Sequence, residues 1–346
     1  MLVLNDSEHA TDNSNIFTAA PIDDIVKSTF GGVKQATRKK LNASNVKFLQ
    51  SLGFAQDLYT LPCESFLYIE GTLTVTRAAD QVDNVVLGTN CVAFMFDEIR
   101  YELDGMEIDR CRNVGITSTL KNYVTVSSDR SVILRNAGWE PHNNPNGYFN
   151  FCVPLNLLLG FCEDYKRVVI NARHELILIR ARNDNDSLVG SLALEPTIKI
   201  LKIQWRMPHV VLNEINKLSM LRALEDGRYL SMGFRSWDLY EYPLLQNTTK
   251  HSWAILYDMY ARFCKGYYGY EYLEPSLTVS TFLRNGPFVI IDCSRQNKSV
   301  KNATVDVRIE FDCMENVPPN TSAYCLIIHD RVIEYNRLTN VVRKIV

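Results

Sequence analysis

After residue 58 the apolar positions fall into a period of two. Residues 65–76 (SFLYIEGTLTVT) and 91–96 carry the β-branched and aromatic side chains that fit a pleated, half-buried surface, and both are predicted as strands. Ile99, Tyr101 and Leu103 then alternate up to Asp104-Gly105, and Met106 and Ile108 resume the apolar face, which predicts a tight type I′ hairpin. That turn would place Tyr101 opposite Ile108, Arg100 opposite Asp109 and Glu102 opposite Glu107. Further strands are predicted at 149–158, at 168–182 with a break near Asn171, and at 198–205. Turn clusters such as PHNNPNG at 141–147 separate them.

Between residues 213 and 225 the period changes. Ile215, Leu218, Leu221 and Leu224 recur every three residues, Asn213 can cap the start and Gly227 can close the end, so a helix is predicted. The β character returns at 229–245, 277–283, 288–293, 305–313 and 323–335. In 305–313 the residues Val305, Val307, Ile309, Phe311 and Cys313 share one face and the charged residues between them share the other. A second helix is predicted at 255–264, with Ile255, Met259 and Phe263 on one side and its end near Gly266. No strand is followed by a regular helical crossover, so antiparallel sandwiches or jelly rolls are expected and parallel α/β folds are not.

A chain of 346 residues that is 46% hydrophobic can fill two cores. Its 37 Lys+Arg and 39 Asp+Glu leave a formal charge of -2, which points to neither nucleic acid nor a membrane. Locally the balance shifts. The first 24 residues are polar and are expected to be a loose arm. From Ile25 to Gln56 there are Lys27, Lys34, Arg38, Lys39, Lys40 and Lys47 with no acid between them. Lys34, Arg38, Lys39 and Lys40 are the weak candidates for nucleic-acid contact; a solvated basic segment is the commoner explanation. The start lacks a signal-peptide pattern, and the most apolar run, 149–161, is shorter than the roughly 20 residues that cross a bilayer. A soluble, intracellular, non-secreted protein is expected, in nucleus or cytoplasm, with its seven Asn-x-Ser/Thr sequons silent.

Nine cysteines show neither a CxxC pair nor metal-like spacing and are expected to be reduced and mostly buried. There is no GxxxxGK[ST] phosphate loop, no HExxH and no GxSxG elbow. His329-Asp330 lies between two apolar runs, which predicts a hairpin turn. Glu163-Asp164 and the series Glu102, Asp104, Glu107, Asp109 could pair carboxylates for glycosidic chemistry, though acids at strand ends are more often solvated. No catalytic, cofactor or metal residue is assigned.

Long runs resemble a known family. They are DLYTLPCESFLYIEGTL from Asp57, DEIRYELDGMEIDRCRNVGITST from Asp97, FNFCVPLNLLLGFCEDYKRVVINARHELILIRAR from Phe149, FRSWDLYEYPLL from Phe234, VIIDCSRQNKSV from Val289 and SAYCLIIHDRVIEYNRLTNVVRK from Ser322. They are similar to double jelly-roll-like proteins related to the major capsid proteins of Polinton and adintovirus elements. The resemblance implies a mainly β chain of two tandem jelly rolls: a flexible arm over 1–56, a first jelly roll over 57–208, a connecting helix over 209–228 and a second jelly roll over 229–346. It implies self-association, as a homotrimer if assembly-competent, packaged DNA as a partner of the arm, no small-molecule substrate and no membrane. After Ala254 similar proteins continue through several further strands, whereas here Ile255 follows at once. The second jelly roll is therefore expected to be incomplete, as in a genome-integrated or degraded relative. A carbohydrate-binding module or a glycan-cleaving enzyme on the same fold is the alternative.

Overall fold

The alternating runs that became β4, β6, β8, β12, β13 and β15 pair antiparallel in the structure, a computed structural model. It describes residues 2–3, 47–52, 59–75, 85–142, 147–170, 172–190, 195–210, 215, 218, 222, 229–243, 253–268, 275–284, 288–293, 322–336 and 339–345. The first β unit contains β1 (Leu2–Val3), β2 (Lys47–Leu52), β3 (Tyr59–Thr60), β4 (Phe66–Thr74), β5 (Val86–Leu87), β6 (Phe96–Leu103) and β7 (Met106–Arg112), although β1 joins the sheet of the second unit. It continues with β8 (Tyr148–Pro154), β9 (Val169–Ile170), β10 (His174–Arg180), β11 (Leu188–Val189) and β12 (Thr197–Arg206). Its helices are α1 (Cys91–Phe94), α2 (Val114–Thr125), α3 (Ser128–Ile133) and α4 (Gly160–Asp164).

Two main sheets face each other, β2-β10-β6-β7 and β12-β4-β8. The inward residues of both, among them Leu67, Ile69, Phe151, Trp205, Ile99, Tyr101 and Leu178, share one core, as a sandwich requires. Gly71 occupies an inward position of β4 because a Cβ there would meet Cζ of Phe149 at 2.3 Å. The β6-β7 turn has φ of 48° at Asp104 and 81° at Gly105, the left-handed pair that a type I′ turn needs.

The hairpin register differs from the expected one. Glu102 does face Glu107, but Tyr101 faces Asp109 and Arg100 faces Arg110, with a bulge between Tyr101 and Glu102. The extra residue on β7 leaves both Ile108 and Asp109 buried. The segment 91–96 is not a strand: it forms α1, and β6 starts at Phe96. Helices α2 and α3 carried no clear helical period, since α2 reads VGITSTLKNYVT and is rich in β-branched residues. Two pieces of the expected arm are strands, with β1 between β14 and β15 of the second unit and β2 beside β10. The break near Asn171 falls between β9 and β10 as expected.

The second β unit holds β13 (Leu230–Pro243), α5 (Trp253–Tyr268), α6 (Val279–Arg284), β14 (Ile291–Asp292), β15 (Ser322–Asn336) and β16 (Val341–Lys344). Strands β13 and β15 pair from Leu230↔Tyr335 to Pro243↔Ser322. His329 and Asp330 lie inside β15, so no turn interrupts it; the two polar residues are tolerated because His329 reaches Asp238 across the ladder at 2.9 Å. Residues 277–283 form no strand: α6 starts after Thr278, whose Oγ1 accepts the amide of Thr281. Helix α5 runs unbroken through the Ala254–Ile255 junction. Its buried stripe is not the expected one, because Ile255 is 61% and Met259 37% exposed, whereas Leu256, Tyr260, Phe263 and Tyr267 enter the second core with Trp237, Phe282 and Ile328. The Tyr260 hydroxyl stays satisfied there by donating to the Tyr123 carbonyl. Of the predicted 213–225 helix, residues 215, 218 and 222 are helical, with Ile215 and Leu218 exposed. Residues 305–313 lie outside the described residues.

Candidate functional site

The polar chemistry of the molecule concentrates where α2 and α4 of the first unit meet β13 and α5 of the second. Helix α2 is buried on nearly every side, and Lys121 projects from it with 1% of its side chain exposed. Its Nζ donates to Oε1 of Glu163 on α4, and the Tyr267 hydroxyl of α5 donates to Oε2 of the same carboxylate at 3.3 Å. The ammonium also lies 4.4 Å from the ring centre of Trp237 on β13. Burial pulls the Lys121 pKa down, and Glu163 beside it opposes that pull.

Asp164, the next residue, takes the Arg235 side chain of β13. The Arg235 guanidinium also stacks on Tyr267, 3.6 Å from the ring centre, and donates to the Tyr267 carbonyl at 3.0 Å. Burial alone would lower the Arg235 pKa, but its bonds to Asp164 carry it above the ordinary value. A third carboxylate, Asp109 on the bulge of β7, accepts from the Ser236 hydroxyl at 2.9 Å, the Phe161 amide at 2.9 Å and the Arg110 amide at 2.9 Å. Burial pushes its pKa up against those donors. The backbones close in as well: a Cβ on Gly160 would meet the Arg235 carbonyl oxygen at 1.7 Å.

Glu163 and Asp164 are thus neither solvated nor on a strand end; each is neutralised by a cation of the seam. Of the acidic series, Asp109 joins them in the seam, where its carboxylate is taken up by the Ser236 hydroxyl and two amides. Asp104 accepts the Arg173 amide at 2.8 Å, and Glu107 lies near Arg100, Arg110 and Lys344. Among the described residues no group of three or more His, Cys, Asp or Glu could hold a metal ion. His174 is buried between the Tyr101 hydroxyl at Nδ1 and Thr60 Oγ1 at Nε2, both at 2.8 Å. Seven described cysteines are free thiols, and Cys63, Cys91, Cys111 and Cys162 among them are buried, as expected of reduced core thiols. No described helix is long and apolar enough to cross a membrane. Lys34, Arg38, Lys39 and Lys40 lie outside the described residues. The sequence signal for Lys121 and Arg235 is a charge set among residues that pack inward, as Arg235 stands between Phe234 and Trp237, which calls for a buried partner.

No curated protein matches the sequence. Solved structures do. The PBCV-1 virus capsid matches over 62% of this chain and 52% of that one, at 10% identity and a TM-score of 0.35. The mavirus major capsid protein matches over 62% and 56%, at 10% identity and a TM-score of 0.32. The chain thus spans about half the length of these structures. The family description "Double jelly roll-like domain" matches residues 85–255 and 253–333, two pieces that meet at the Ala254–Ile255 junction. With more than half of its length matched in this way, the chain belongs to the double jelly roll-like domain family.

Proposed function

We propose that the chain is a capsid-type structural subunit that acts by self-association and not by catalysis. The observation that carries this reading is the seam. Its inward carboxylates are bound across the seam by Tyr267, Arg235 and Ser236, and Glu163 by Lys121 as well, so they join two β units instead of facing a cleft where a substrate could enter. Family membership supports the same reading.

Within it, residues 57–208 and 229–346 act as first and second jelly rolls around a connecting segment at 209–228, three chains form the assembling unit, and the basic residues Lys34, Arg38, Lys39 and Lys40 meet packaged DNA. The Ala254–Ile255 junction, where the family match divides, is the place from which strands of the second jelly roll have been lost. The protein would then work inside a cell or in a virion.

Light scattering coupled to size-exclusion chromatography, followed by negative-stain microscopy, tests the reading. A mass that rises with concentration to a trimer or a larger closed assembly supports it. A folded monomer at every concentration overturns it.

A further inference from the structure

Strand alternation leaves Phe66, Tyr68 and Glu70 of β4 facing outward while Leu67 and Ile69 enter the core. On the neighbouring strand, Arg206 stands opposite Phe66 and Lys202 opposite Glu70. Both cations rest on the aromatics: the Arg206 guanidinium lies 5.3 Å from the Tyr68 ring centre and 6.0 Å from that of Phe66, and the Lys202 ammonium lies 5.3 Å from Tyr68. All of these side chains are half-buried, and Lys199 farther along β12 is exposed. Arginine and tyrosine held in place by stacking lose little freedom on binding, and they are the residue types that dominate protein interfaces.

The charge of this face limits its partner. Three cations, Lys199, Lys202 and Arg206, stand against one acid, Glu70, so two copies of the same face would repel and a symmetric face-to-face dimer is disfavoured. A patch of opposite sign lies on the second unit. There Glu241 faces Tyr324 across the β13-β15 ladder and accepts the Ser322 hydroxyl at 2.7 Å. Asp186, on the turn before β11 of the first unit, lies near enough to act on the Tyr324 hydroxyl, whereas Tyr240 and Tyr242 point to the other face of β13.

We propose that the outward face of the β12-β4-β8 sheet docks on the Glu241–Asp186 patch of a second copy of this chain. The contact is heterologous, so copies join head to tail and a ring closes when the rotation allows. This rests on the self-association reading and assigns its surfaces. A single-stranded nucleic acid also seeks cations interleaved with aromatics. Here, however, both cations already rest on Tyr68, and Glu70 holds its hydroxyl, which leaves little ring face for a base.

The test uses the full chain in light scattering over a concentration series. Arg206→Glu with Lys202→Glu, and separately Glu241→Lys with Asp186→Lys, are expected to weaken association at least roughly tenfold. Each pair variant repels itself, whereas mixing the two is expected to restore association, because the intact face meets the intact patch and the two reversed surfaces are again opposite in sign. Thermal melts check folding; should the reversals unfold the chain, Arg206→Gln with Lys202→Gln is the milder pair. Wild-type association left unchanged by either pair would overturn the surfaces while sparing self-association. A monomeric wild type would overturn both readings. Binding of a labelled single-stranded oligonucleotide that Arg206→Glu abolishes, with association intact, would give the face to nucleic acid and overturn the proposal.

Discussion

Arg235 closes a two-point clamp on Asp164: Nη2 lies 2.6 Å from Oδ1 and Nε 2.7 Å from Oδ2, while the Arg235 amide adds a third bond to Oδ2 at 2.9 Å. The pair joins α4 to β13 and is mostly shielded from water, with 15% and 16% of the two side chains exposed. A fork-to-fork ion pair in that setting is worth more than a surface pair, and a point charge cannot reproduce it.

Arg235→Lys should therefore destabilise the fold although charge is conserved. The loss expected in urea denaturation is about 1–3 kcal/mol, that of a charge-assisted bond. Asp164→Ala should cost about 3–5 kcal/mol, because it strands a buried guanidinium. Equal, near-zero effects of both variants would remove the clamp from the list of what joins the two units.

Lys121 and Glu163 make a stronger test, since both are almost fully buried. Desolvation offsets most of the attraction in such pairs, so the pair contributes little net stability, yet losing one partner leaves a bare charge inside. Lys121→Met and Glu163→Leu should each cost about 3–5 kcal/mol, and the double variant much less than their sum. Strict additivity in the double-mutant cycle would mean that the two side chains do not interact.

Two glycines separate close approach from helix propensity. A Cβ on Gly160 would meet the Arg235 carbonyl at 1.7 Å, whereas one on Gly266 of α5 meets nothing within 4 Å. Gly160→Ala should push the two units apart and cost about 3 kcal/mol or more. Gly266→Ala should leave stability unchanged or raise it by up to about 1 kcal/mol, the helix preference of alanine. The thermal melt of Gly160→Ala should fall while that of Gly266→Ala holds or rises, and an equal fall in both would count against the close approach.

How much of this was legible depended on whether the signal was local. Strands β4, β8, β12, β13 and β15 could be read because alternation along one strand is a property of that strand. The I′ turn could be read from Asp104-Gly105, but not the bulge beside it, because the inward turn of Asp109 answers donors on α4 and β13 that are distant in sequence. Helix α2 was obscured by its β-branched residues, which packing on all sides overrides. The exposed Ile255 and Met259 misled because an aliphatic period suggested the buried face, whereas tyrosines with bonded hydroxyls line it. Glu163 and Asp164 were read as solvated because their cations, Lys121 and Arg235, come from other elements.

His174 offers the last test, since geometry fixes its tautomer and burial its charge. Thr60 Oγ1 donates its one proton to the Val169 carbonyl at 3.2 Å, so it must accept from Nε2 of His174, and Nδ1 is left to accept from Tyr101. Burial, with His209 nearby, lowers the ring's pKa from 6.5 to about 3, so it is neutral in the fold with its proton on Nε2. The unfolded chain binds this proton near pH 6.5 and the folded chain only near pH 3, so the stability due to the neutral ring is fully present above pH 6.5. It is lost as the pH falls through that window, at about 1.4 kcal/mol per pH unit. Glutamine can make the same two hydrogen bonds without titrating, so His174→Gln should flatten the fall in urea-unfolding stability between pH 6.5 and pH 3, while shared carboxylate effects cancel in the comparison. Wild type and variant losing stability in parallel across that range would show that His174 carries its proton in the fold, or that its ring is not held as described.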